Sequence, residues 1–179
     1  KTCREELLKL SEDSGNKIKI GVIQGDDIYQ DIQAIRDNGI SFDHMDSGQS
    51  FEEIADSVYS ANVYIDSFTI SEALEKGAQI VLAGRVSDPG LALGPCAYEF
   101  GWKNDEYDKI AAGTLAGHIS ECGAQCTGGN FSNWQDVPDM ANFGYPIIEM
   151  EEDGTGSGGY AKQMSQAFID AEHALFEEQ

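Results

Sequence analysis

Within the stretch AAGTLAGHISECGAQCTGGNF, Ala111 to Phe131, His118, Glu121, Cys122 and Gln125 fall at helical spacing, so that with Thr114 they share one arc of a helix. Three chemistries are open to that arc. Cys122 is a candidate nucleophile, with His118 one turn away to raise its thiolate fraction and the Gly128-Gly129 backbone N–H groups offered to a developing oxyanion. His118, Cys122 and Cys126 could instead ligate a metal, but CxxxC along one helix is not the usual zinc knuckle and no fourth ligand is evident, so no metal is assigned. The third reading is a satisfied polar network in which the cysteines fill small spaces, with proton transfer by Glu121 or His118 as its functional edge. Gly113 and Gly117 point to a special requirement in this helix. An interior helical glycine costs about 1 kcal/mol relative to alanine, and it lets another backbone or a flat ligand come near.

A second set of chemical side chains follows two apolar runs. IKIGVIQGDD ends in Asp26 and Asp27, and AQIVLAGRVSDPG leads through Arg85 to Asp88. Each run reads as a buried parallel strand that delivers its polar residues to a loop before a helix. In open parallel sheets the ligand crevice lies at the carboxyl ends of the strands, where all four residues fall. Arg85 is a candidate holder of a carboxylate or phosphate; the alternative is an ion pair with Asp88 that closes the turn, with Pro89 at the first helical position. Asp26 and Asp27 could bind Mg²⁺, a weak signal in so acidic a chain. Together, Asp26, Asp27, Arg85, Asp88, Gln125, Gly128 and Gly129 are the candidate substrate-binding residues, and His118, Glu121 and Cys122 the candidate catalytic ones. No GxGxxG, P-loop or HExxH is present, which removes the main support for nucleotide-motif and zincin readings.

These residues need elements to position them. Residues 2 to about 12 read as a helix with Leu7, Leu8 and Leu10 on its apolar side. Ile28 to Arg36 follows the first strand as a helix, N-capped by Asp27 and stopped by Asn38-Gly39. Phe51 to Ala61 and Ser67 to Lys76 also read as helices, and after the second strand come Leu91 to Phe100 and Asp105 to about Gly123. On the last of these, Ala112, Leu115, Ala116 and Ile119 form an apolar arc suited to packing on the sheet. Thr127 to Pro138 reads as a loop anchored by Trp134, and YPIIEME as a further strand. Strands separated by helices argue for a parallel β/α sheet with helices packed on its faces, Rossmann-like in the broad sense. The organisation is an α/β domain over residues 1–153, a Gly/Ser linker over 154–159, and a C-terminal helix over 160–179 with Met164, Phe168, Ile169 and Leu175 on one side.

The 179 residues hold 32 Asp plus Glu against 11 Lys plus Arg, a formal net charge of -21. Such a surface repels phosphate backbones and anionic headgroups, which argues against nucleic-acid and membrane partners. Adaptation to salt would also produce it. No apolar run approaches the about 20 residues that span a bilayer, and the opening Lys1 to Arg4 has no signal-peptide core, so a cytoplasmic location is expected. Cys3, Cys96, Cys122 and Cys126 then read as reduced thiols.

GAQIVLAGRVSDPGLALGPCAYEFGW, together with AAGTLAGHISECGAQCTGGNF and DVPDMANFGYPIIEM, resembles the acyclic terpene utilisation family. Its members occur in bacteria beside acyl-CoA carboxylases and related enzymes. The resemblance begins near Cys3, takes in IKIGVIQGDD and continues to about Asp153. It implies an α/β protein linked to the catabolism of branched, terpenoid-derived acids or acyl-CoA thioesters. It names no reaction and no cofactor. Members of the family extend further at both ends, so the chain reads as an excised piece or a short relative with an unrecognised tail. Cys126 stands where the resemblance leads to alanine or valine. The function expected is binding of a small acid or acyl-CoA thioester in a strand-end cleft. The alternatives are a non-catalytic binding or scaffold subunit for acyl-CoA enzymes, and an inactive engineered fragment that self-associates as a homo-oligomer through its tail helix.

Overall fold

The computed structural model describes residues 2–137, 139 and 144–160, and of 157–160 the backbone alone. Helix α1 (Thr2–Asp13) leads into strand β1 (Ile20–Ile23), and the buried Ser11 fixes the junction. Its Oγ donates to the Asn16 carbonyl (2.5 Å) and accepts the Ile18 N–H (3.3 Å), so the chain turns sharply from helix to strand. Strand β2 (Ile80–Ala83) pairs with β1 in parallel, with Ile20 opposite Ile80 and Ile23 opposite Ala83. The α/β expectation therefore holds for one parallel pair. A wider Rossmann-like sheet is not formed by the described residues, in which the only other strands, β3 (Pro146–Met150) and β4 (Gly156–Tyr160), make a separate antiparallel hairpin.

Between β1 and β2 the chain departs from the helix expected over residues 51–61. After α2 (Ile32–Asp37) it forms two single 3-10 turns, Phe51–Glu53 and Ala55–Ser57, and then runs extended. The physical reason is tertiary pairing. The Ile28 N–H donates to the Ala61 carbonyl (2.9 Å), the Val63 N–H to that of Asp26 (2.8 Å), and the Ile65 N–H to that of Arg85 (2.9 Å). The stretch Ala61 to Ile65 thus stitches the loop after β1 to the loop after β2. Helix α3 (Phe68–Glu75) follows and packs on the parallel pair through Ala73.

Helices α4 (Gly90–Phe100) and α5 (Tyr107–Ser120) make the second layer. Gly113 and Gly117 are explained here. A Cβ on Gly113 would lie 2.7 Å from Leu93 Cδ1 and 3.0 Å from the Trp102 ring, and one on Gly117 would lie 2.4 Å from the Pro89 carbonyl oxygen. The close approach that the two glycines permit is that of α4, not of a ligand. Leu93, Ala97 and Trp102 form a buried cluster of the core, with Phe68, Cys96, Phe100, Ile110 and Met150 packed around them. The expected apolar arc of α5 is correspondingly altered. Ala116 is buried, whereas Leu115 is 59% exposed, and the main neighbours of α5 are α4 and β3. Trp134, the expected anchor of the 127–138 loop, is 54% exposed, whereas Val137 of that loop is buried at 7%. Residues read as a linker enter the hairpin, because Gly154 turns with φ +87° and Gly156 then pairs with Met150. The expected C-terminal helix lies outside the described residues.

Candidate functional site

The carboxyl ends of β1 and β2 border a hollow of about 380 Å³ lined by Asp26, Asn62, Gly84, Arg85, Val86, Asp88 and Leu91. Three of the residues singled out from the sequence, Asp26, Arg85 and Asp88, meet there. Asn62, Val86 and Leu91 were not anticipated. Asn62 lies just past the helix expected over Phe51 to Ala61, where the alternation in Ala61-Asn62-Val63-Tyr64-Ile65 signals extended chain.

Asp26 is committed within the protein. One carboxylate oxygen accepts the Arg85 backbone N–H (2.8 Å) and the Asn62 side-chain amide (3.1 Å). The Arg85 N–H holds its carboxyl below the usual carboxylate range, with further support from Asn62. The depressed folded value means that this contribution is present above the unfolded carboxylate pKa of about 3.9 and fades only as the pH falls through the lower folded value. The carboxylate lies over Gly84, where a Cβ would come 1.9 Å from Asp26 Oδ1. Gly84→Ala should therefore expel the carboxylate and release the Arg85 loop. A destabilisation of about 1–3 kcal/mol is expected from the overpacking, measurable by urea unfolding.

Arg85 is the cation of the hollow. The alternative pairing with Asp88 does not form: among the described residues Arg85 makes no ion pair, and its guanidinium lies 5.9 Å from the centroid of the Tyr64 ring. An arginine resting on an aromatic face keeps its in-plane N–H donors for a ligand. Leu91, at 70% exposure, and Val86 supply apolar surface beside it. Asp27 is turned to local use, its Oδ1 accepting the Tyr29 N–H (3.1 Å), and it does not line the hollow.

The second constellation is divided by the end of α5. The helical spacing runs on to Gln125, but α5 stops at Ser120; Glu121 is extended and Cys122 has φ +55°, followed by Gly123 at φ +60°. His118, Cys122 and Gln125 are exposed, and none of them lines the hollow. Gly117 seats the last turn of α5 against Pro89, so this helix end adjoins Asp88 at the rim. The Asp88 charge contributes to the state of the Cys122 thiol. That state is the opposite of activation: Cys122 Sγ donates to Glu121 Oε1 (2.7 Å), and this bond pushes the thiol up. The expected oxyanion donors are also occupied, because the Gly129 N–H donates to the Ala124 carbonyl (2.7 Å) and the Gly128 N–H to that of Gln125 (3.4 Å). Among the described residues no cluster of His, Cys, Asp and Glu is placed to hold a metal ion, so His118, Cys122 and Cys126 do not form the three-ligand set. Glu121→Gln should lower the pH at which Cys122 is alkylated, since it removes the carboxylate that holds the proton; peptide mass spectrometry after alkylation across a pH series would measure the shift.

No helix among the described residues is long and apolar enough to cross a membrane. A family model described as acyclic terpene utilisation family protein AtuA matches residues 1–158. No curated protein and no solved structure matches the chain.

Proposed function

The chain belongs to the acyclic terpene utilisation family, and on that premise we propose that it serves terpene breakdown by holding an anionic acyl compound in the hollow at the ends of β1 and β2. The observation that carries this reading is the Arg85 guanidinium, unpaired among the described residues, near the Tyr64 ring and in the lining that also holds the apolar Val86 and Leu91. A guanidinium fork matches a carboxylate in geometry and charge. Asp26 acts as a positioning residue, since its carboxylate fixes the backbone that carries Arg85. His118 and Glu121 would move a proton only for a ligand long enough to pass Asp88 toward the end of α5. The raised thiol of Cys122 favours a binding role over covalent catalysis, and with it the second reading, a non-catalytic subunit that presents its ligand to acyl-CoA enzymes.

A thermal-shift panel tests the proposal. Branched carboxylates, acyl-CoA thioesters and inorganic phosphate would be compared on the wild-type chain and on Arg85→Ala. At a hundredfold excess over Kd the folded state gains about 2.7 kcal/mol, or on the order of 5–10 °C for a chain of this size. Stabilisation by an acyl anion that disappears in Arg85→Ala supports the reading. No stabilisation by any member, or stabilisation that Arg85→Ala leaves unchanged, contradicts it.

A further inference from the structure

We propose that the strand-end hollow takes a free monocarboxylate with a short apolar chain and excludes the coenzyme A thioester of the same acid. This rests on the Arg85 reading above and names the substrate class of that site.

The charges around the hollow set the limit. Its lining holds one guanidinium, Arg85, and two acidic side chains, Asp26 and Asp88, with no second lysine or arginine. One carboxylate can meet the guanidinium. A ligand with several phosphates would confront Asp26 and Asp88 with nothing further to neutralise it. The chain as a whole, at a formal -21, adds long-range repulsion.

Backbone donors do not compensate. The start of α4 borders the hollow, and a helix N-terminus commonly serves phosphate groups. Here Pro89 has no N–H, and the N–H groups of Gly90, Ala92 and Leu93 already donate to the carbonyls of Ser87, Pro89 and Pro89. In the first turn of α4 that leaves the Leu91 N–H alone, a single donor where the phosphates of a coenzyme A ester would need several.

The acyl end points the same way. A thioester carbonyl is neutral, so it offers Arg85 only a weak acceptor, whereas the free acid offers a charged, bidentate one. The carbon chain then has Val86 and the exposed Leu91 to lie against, in a volume of about 380 Å³ that falls within the usual range for small-ligand pockets.

Isothermal titration of the full chain at low salt, with isovalerate, isovaleryl-CoA and free coenzyme A, on wild type and Arg85→Gln, decides it. Saturable isovalerate binding, at least tenfold weaker in Arg85→Gln, with both coenzyme A compounds at least tenfold weaker than isovalerate on wild type, is the expected result. If isovaleryl-CoA binds as tightly as isovalerate or tighter, and Arg85→Gln weakens both, the substrate class is overturned while the Arg85 site stands. If Arg85→Gln changes neither affinity, or nothing binds, the Arg85 reading fails and this inference falls with it.

Discussion

Arg85→Gln is expected to weaken binding of a branched carboxylate by roughly 10–30-fold, from the loss of about 1.5–2 kcal/mol of charge-assisted hydrogen bonding. The substitution is selective. The Arg85 backbone N–H still donates to Asp26, so the loop keeps its anchor while the side chain loses its charge and its fork. Arg85→Lys separates the two properties: a point charge remains but the bidentate geometry does not, so an intermediate affinity is expected. Unfolding midpoints should stay close to wild type in both variants, because the side chain is exposed and unpaired among the described residues. Isothermal titration gives the affinities, and urea unfolding checks the midpoints.

Trp102→Ala should cost about 3–5 kcal/mol of folding free energy, the usual range for truncating a buried tryptophan. At 3% exposure Trp102 is the largest side chain in the buried core, stacked on Phe100 with ring centroids 5.4 Å apart. Its Nε1–H donates to the Glu152 carbonyl (2.8 Å), which ties the hairpin of β3 and β4 to the helical layer. Gly113 brings α5 against the same ring, so truncation opens space beneath two elements. The melting temperature should fall by on the order of 10 °C for a chain of this size. Trp102→Phe retains much of the packing and loses the hydrogen bond, and its smaller loss would separate the two contributions.

The two strands were legible because a short apolar run followed by glycine and aspartates has few other solutions, and Arg85 was legible as a cation delivered by such a strand end. Asn62 and Tyr64 were not. Phe51 to Ala61 carries apolar residues near helical spacing, and its extended continuation depends on bonds to Asp26 and Arg85 that are distant in the chain. Periodicity also ran past the true end of α5, where Gly123 and the left-handed Cys122 break a helix already weakened by two glycines. Gly113 and Gly117 announced a close approach without naming what approaches. In the fold it is Leu93, Trp102 and Pro89, so the two glycines give no support to a ligand beside the thiol. The nucleophile reading rested on spacing between His118 and Cys122; spacing could not show that the nearer partner of the thiol is the Glu121 carboxylate.

A crystal structure of the chain with isovalerate bound would show whether Arg85 holds the acid. The carboxylate is expected within hydrogen-bonding distance of the Arg85 guanidinium, the carbon chain against Val86 and Leu91, and Asp26 still accepting the Arg85 N–H. A ligand bound elsewhere, or an Arg85 guanidinium turned into an ion pair with Asp26 or Asp88 and closed to the ligand, would contradict it.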